Sequence, residues 1–160
     1  IGAKNNVFNS HVEFFSKMKK GTLYGLTPLV NETACGPDFY EEAKKSGHYI
    51  ELDPSMSMEE AKEYANKMDV LYTDTWVDME FFNNPAYQKQ KEETLAKMMP
   101  YQLNGDFTKD SKAIVFHDMP MHVGFEISQD VVDKNLDHIL DEAENRRHAE
   151  KAVMYTLLNS

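Results

Sequence analysis

The feature that most constrains this chain is a regular beat of short apolar runs separated by segments of helical period. Apolar runs lie at 22–26, 48–52, 69–73 and 113–116. Between them, Asn5–Lys20 places Val7, Phe8, Val12, Phe15 and Met18 near a helical spacing, and Gly21 closes it after two lysines. Pro37 opens a second helix through Lys45, with Phe39, Tyr40 and Ala43 turned inward and Gly47 at its end. Ser57 followed by Glu60 predicts a capping box at the head of a third helix, near Ser57 to Lys67. Strands joined by helices at this spacing are best accommodated as parallel neighbours, because each helix carries the chain back to the starting edge. The expected fold is α/β: a doubly wound, mostly parallel, Rossmann-like sheet with helices on both faces.

After Asp74 the beat changes. A helix is predicted from about Pro85 to Lys97, then a compact junction at 100–104 and a turn to Ser111. The run Ala113–Phe116 follows as a buried strand, leaving through His117-Asp118-Met119-Pro120-Met121-His122-Val123-Gly124. One helical turn or more is expected over 126–132, and a separate long helix over 136–158. At the other end, Ile1-Gly2-Ala3-Lys4 reads as the tail of a strand running into a glycine turn, as expected of a piece of a longer chain.

In open α/β sheets ligands bind at the carboxyl ends of the strands. Asn5 and Asn6, Asp74 and His117 all fall at such ends, so an amide, a carboxylate and an imidazole converge on one crevice. Each also has a plainer reading: Asp74 as a cap or solvated loop aspartate, and Gly2–Asn6 as an ordinary strand–helix turn rather than an anion cradle. Trp76, Phe81 and Phe82 read as packing residues, and Glu142–Arg146 as an i,i+4 pair on a solvated helix. A formal charge of −10 argues against a nucleic-acid partner. No apolar run is long enough for a membrane span. The single cysteine, Cys35, allows no intrachain disulfide and fits a reducing, cytoplasmic setting. His117 and His122 lack a third ligand at a zinc-site spacing, so neither a metal nor a cofactor is expected.

Five stretches taken together resemble one family. Asn5-Asn6-Val7 with Ser10, Tyr72-Thr73-Asp74-Thr75-Trp76-Val77-Asp78-Met79, Tyr101-Gln102-Leu103-Asn104, His117 to Gly124, and Glu142-Ala143-Glu144-Asn145-Arg146 on to Ala152 occur in that order. They resemble, in turn, the Asn-Asn-Val-x-x-Ser, Tyr-Thr-Asp-Val-Trp-Val-Ser-Met-Gly, Tyr-Gln-Val-Asn, His-Cys-Leu-Pro-Ala-His-Arg-Gly and Glu-Ala-Glu-Asn-Arg motifs of ornithine-type carbamoyltransferases. The resemblance implies that residues 1–160 are the carboxy-terminal, ornithine-binding domain, and that an amino-terminal domain gripping carbamoyl phosphate is absent from the chain. The implied reaction joins carbamoyl phosphate to the side-chain amine of ornithine, giving citrulline and phosphate, in an enzyme that assembles as a homotrimer. By the same resemblance, Asn6, Asp74, Asp78, Met79 and Met119 fall at substrate-binding positions, with Met79 acting through its backbone. His117 and Asp118 fall at the catalytic loop.

Four positions depart from the family pattern. Asp78 stands where the family has Ser, Asp118 where it has Cys, Met119 where it has Leu, and Val123 where it has Arg. Two of these add negative charge and one removes a cation that would offset carbamoyl phosphate, with Lys109 or Arg146 as possible replacements. Three readings are therefore open: a carbamoyltransferase for ornithine, one for another cationic amine, or a non-catalytic paralogue that binds or assembles.

Overall fold

The computed structural model describes residues 1–160 except Lys19 and the side chains of Met79 and Glu80. Strand β1 (Ala3–Lys4) leads directly into helix α1 (Asn6–Met18). Strands β2 (Leu23–Gly25) and β3 (Leu29–Val30) are separated by the Thr27–Pro28 break and followed by helix α2 (Pro37–Lys44). Then come β4 (Tyr49–Glu51), α3 (Met58–Ala65) and β5 (Val70–Thr73). Short α4 (Met79–Phe82), α5 (Gln88–Met98) and α6 (Gly105–Thr108) precede β6 (Ile114–His117), and α7 (Gln129–Leu158) completes the chain.

All strand pairings are parallel: β1 with β3, β2 with β4, and β5 with β6. Two backbone bonds join these pairs into one sheet. Gly2 N–H donates to Leu26 O at 3.0 Å, and Ile1 N donates to Tyr72 O at 2.7 Å. The segment containing β1 therefore lies between β2 and β5, and the spatial order is β4, β2 continued by β3, β1, β5, β6. Connections run one way from β1 and the other way from β5, so the order reverses between these two strands. Loops leaving their carboxyl ends diverge there and open a crevice.

Each sheet face has its own core. Leu26, Leu52, Leu71 and Val115 face Ala61 and Ala65 of α3, Phe107 of α6 and Val131, Val132 and Ile139 of α7. On the other face, Val12 of α1 packs with Tyr40 and Ala43 of α2 and with Tyr49. The capping box is present, with Glu60 N–H donating to Ser57 Oγ and Ser57 N–H to Glu60 Oε2. Gly21 and Gly47, at φ +70° and +73°, take the left-handed turn that ends a helix at little steric cost.

Two expected features differ. The helical turn over 126–132 and the helix over 136–158 are one continuous helix, α7, because Asp133-Lys134-Asn135 contains neither Pro nor Gly to stop it. Glu126 and Ile127 lie outside it, with Ile127 bridged to Leu103 and to Val123. The second difference is β3, two residues long and paired with β1 just beyond Pro28.

Candidate functional site

The crevice begins with Asn5, buried at the carboxyl end of β1. Its Oδ1 accepts from Phe8 N–H at 2.9 Å, capping the first turn of α1. Its Nδ2 donates to Asp74 Oδ2 at 2.7 Å across the reversal between β1 and β5. The other Asp74 oxygen accepts Thr75 N–H at 2.7 Å. Burial pushes the Asp74 carboxyl above the usual aspartate range, against the pull of these two donors.

Beside Asp74, a cavity of about 360 Å³ between α1 and the sheet is lined by His11, Tyr72, Asp74 and Glu142 together with Phe8 and Phe116. His11 sits edge-on to Tyr72, with ring centroids 4.4 Å apart, and burial lowers its pKa. Glu142, half-buried on α7, accepts the His117 backbone N–H at 3.0 Å and a hydrogen bond from the Tyr72 hydroxyl. Burial raises the Glu142 carboxyl. It is therefore bound to two strands of the sheet rather than paired with Arg146, which instead bonds Glu150 at 3.0 Å. The expected solvated Glu142–Arg146 pair is not formed, because position 142 faces the strand ends while the residues beyond it are exposed.

A second cavity, of about 300 Å³, is lined by Asn31, Thr33, Trp76, Asp78, Phe81 and Lys91, among others. Asn6 is exposed, and its N–H donates to Oγ1 of Thr33, one of the lining residues, at 3.2 Å. Asp78 is half-buried at the head of α4 and makes no side-chain cap bond there. Met79 opens α4, and its side chain lies outside the described residues. Asn5 and Asp74 thus line the first cavity and Asp78 the second, while Asn6 lines neither. Trp76, buried between these positions in sequence, packs against Gly2.

The loop after β6 is divided. His117 is fully buried, with Nε2 3.1 Å from Glu126 Oε1. Asp118, Met119 and Val123 are exposed. The charge of Asp118 acts on Asp74, Glu142 and His11 of the first cavity and on Arg146, although Asp118 does not itself line that cavity. Lys109 pairs with Asp106 at 3.4 Å and precedes Ser111, whose hydroxyl donates to Ala65 O at the end of α3, on the side where the chain enters β5 rather than where it leaves it. Lys91 is engaged by Phe82, donating to its carbonyl at 2.8 Å and lying 4.8 Å over its ring. Among the described residues, no group of three or more His, Cys, Asp or Glu is placed to hold a metal ion. Among the described residues, no helix is long and apolar enough to cross a membrane.

A family model, the Asp/Orn-binding domain of aspartate/ornithine carbamoyltransferase, matches residues 1–157. The chain belongs to this family.

Ornithine carbamoyltransferase of Chlorobaculum tepidum is 34% identical over 164 residues, covering 99% of this chain and 44% of that protein. The Archaeoglobus fulgidus ornithine carbamoyltransferase is 29% identical, over 99% of this chain and 48% of its own length. Among solved structures, anabolic ornithine carbamoyltransferase of Campylobacter jejuni superposes with a TM-score of 0.78 at 25% identity, over 99% of this chain and 50% of that one. The Pyrococcus furiosus enzyme gives 0.75 at 29% identity, over 96% and 46%. The chain spans about half the length of these relatives.

Within this carbamoyltransferase domain, three site features escape a reading of motifs. Asn5, rather than Asn6, is the direct partner of Asp74. Glu142 and Glu126 hold the strand end and loop around His117. A glutamate within an otherwise apolar or backbone-directed stretch, such as Glu126 beside Ile127, was the one available signal for the last of these.

Proposed function

We propose that this domain is the amine-binding half of a carbamoyltransferase, completed by an amino-terminal domain that binds carbamoyl phosphate, in a cytoplasmic homotrimer. The amine nitrogen of ornithine attacks the carbamoyl carbon. A C–N bond forms, the C–O bond to phosphate breaks with its electron pair going to phosphate, and the amine loses a proton. Positioning and electrostatics supply the rate, with no covalent enzyme intermediate.

The observation that carries this reading is the Asn5–Asp74 bond across the sheet's reversal point, in a chain of this family. A carboxylate fixed there has one face toward a cavity and suits an ammonium group. In this reading Asp74 holds the cationic end of the amino acid, while Asn6, Asp78 and the Met79 backbone line its approach. Met119 and Asp118 present the loop to the reacting carbon, and His117 shapes that loop from within. Arg146, exposed on α7 and within the field of Asp118, is the cation available to offset carbamoyl phosphate where Val123 supplies none.

Asp74→Ala in the two-domain protein should lower kcat/KM for the amine by about thirtyfold or more, the cost of truncating one partner of a desolvated charge pair. Unchanged kinetics with ornithine would remove Asp74 from the site. An amine panel addresses the related reading, a carbamoyltransferase for another cationic amine, which Asp78 and Asp118 favour by charge.

The exposed Asp118 and Val123 also favour a second reading, a paralogue that binds or assembles without turnover. Calorimetry with a phosphonoacetyl-ornithine type of bisubstrate analogue separates them. Tight binding supports the enzyme, and no heat at millimolar ligand supports the paralogue.

A further inference from the structure

Glu126 carries no role in the reaction proposed above, yet it is among the most buried polar side chains of the domain, 1% exposed beside a fully buried His117. Its backbone is held firmly. Leu103 N–H donates to Glu126 O at 3.0 Å, and the adjacent Ile127 is fully buried and bridged to both Leu103 and Val123. From this anchor a single oxygen, Oε1, meets two partners. One is His117 Nε2, at the point where the chain leaves β6, and the other is the His122 backbone N–H, where the loop returns. Between these two points, among the described residues, residues 118–121 make one backbone bond, from Met119 N–H to His117 O at 2.9 Å. The loop that presents Asp118 and Met119 is thus closed at its base by one carboxylate oxygen.

The same carboxylate reaches the other ligand-facing segment through His122. The His122 ring lies flat on Phe82, with centroids 3.6 Å apart and planes 11° from parallel, and Phe125 meets Phe82 edge-on. Phe82 N–H in turn donates to Asp78 O at 3.1 Å, closing the turn that begins at Asp78. Glu126 fixes His122, His122 stacks on Phe82, and Phe82 is bound to Asp78.

We infer that Glu126 is a positioning residue: it pins both ends of the 118–121 loop and, through the His122–Phe82 stack, sets the segment that carries Asp78. Its catalytic consequence rests on the carbamoyltransferase reading, whereas the pinning is a property of the fold.

The test follows amide hydrogen exchange and steady-state turnover together in Glu126→Gln, Glu126→Ala and His122→Ala. Gln keeps an acceptor oxygen where Oε1 sits, so His122 N–H exchange should stay within about threefold of the parent. Ala should speed it by about tenfold or more and speed residues 78–82 as well, with β5 and α7 unchanged. In the two-domain protein Ala should lower kcat by about tenfold or more and Gln should restore most of it, whereas Glu126→Met, which fills the space without the acceptor oxygen, should not. Unchanged His122 exchange in Glu126→Ala, or Gln behaving like Ala, overturns the inference. If Glu126→Ala loses protection throughout the sheet, His122→Ala decides: faster exchange confined to 78–82 supports the pin, and no change there refutes it. Exchange as expected in a parent protein that turns over no amine leaves the pin standing and defeats the enzyme reading instead.

Discussion

Replacing Asn5 tests whether the crossing between β1 and β5 is an energetic element of the fold. Asn5→Ala removes the cap on Phe8 N–H, a loss of about 1 kcal/mol. It also removes a hydrogen bond to a carboxylate, which contributes about 1.5–3 kcal/mol when desolvated. Asp74 borders a cavity and recovers part of that by hydration, so the expected total is about 2 kcal/mol. Asn5→Asp separates the two contributions, because it keeps the cap but sets a second carboxylate against Asp74. It should be destabilised at pH 7 and recover toward pH 4.5 as one of the pair takes a proton. Urea unfolding followed by the fluorescence of Trp76, the only tryptophan and almost fully buried two residues from Asp74, reads both variants. A loss below about 0.5 kcal/mol in Asn5→Ala, the ordinary size of a surface change, would show that the bond is incidental. So would an Asn5→Asp chain as stable at neutral pH as its parent.

Two further predictions concern pH. The Glu142 carboxyl is raised in the folded state, so its contribution is fully present below the ordinary glutamate range and is lost as pH rises through the folded value. Unfolding midpoints compared between about pH 4 and 7 should fall less in Glu142→Gln than in the parent, and an equal or steeper fall counts against the assignment. His11 is lowered by burial, so its contribution is present above the ordinary histidine range and is lost as pH falls through the folded value. His11→Phe should therefore lessen acid sensitivity below about pH 6.5, measured by the same melts. In the core, Ile139→Ala at a fully buried position of α7 should cost about 2–5 kcal/mol in calorimetric stability, and a value under 1 would mean that α7 is not packed as described.

The strands at 23–25, 49–51, 70–73 and 114–117 were legible because each is an apolar run bounded by polar or glycine-containing turns. α1 to α3 were legible because a glycine or a cap marks their ends. β3 was not, since two residues after a proline carry no periodicity and owe their conformation to pairing with β1. The division of α7 failed for a related reason: a polar stretch at 133–135 looks like a pause, yet Asn135 Nδ2 bonds Val131 O within the same helix. Strand ends located Asp74 and His117 at the crevice, but not which way their side chains point. His117 turns inward because Val115 and His117 share the face that α7 covers, an alternation that becomes decisive only once that face is known. Glu142 read as a solvated charge because Arg146 lies four residues on along the helix, whereas its partners are 25 residues away at His117 and on Tyr72.

Helix α7 is a cantilever. Its buried anchors, Val131, Val132 and Ile139, all lie between its start and residue 139, and every residue from 143 to 160 is exposed. The projecting part, residues 143–158, is about 24 Å long at 1.5 Å per residue. Glu142 sits at the fulcrum, clasped to His117 N–H and Tyr72. A tilt of the beam that shifts its tip by several ångströms displaces the fulcrum by only a small fraction of that. Conversely, a load borne far out along the helix arrives at the ends of β5 and β6 as torque, concentrated on one carboxylate.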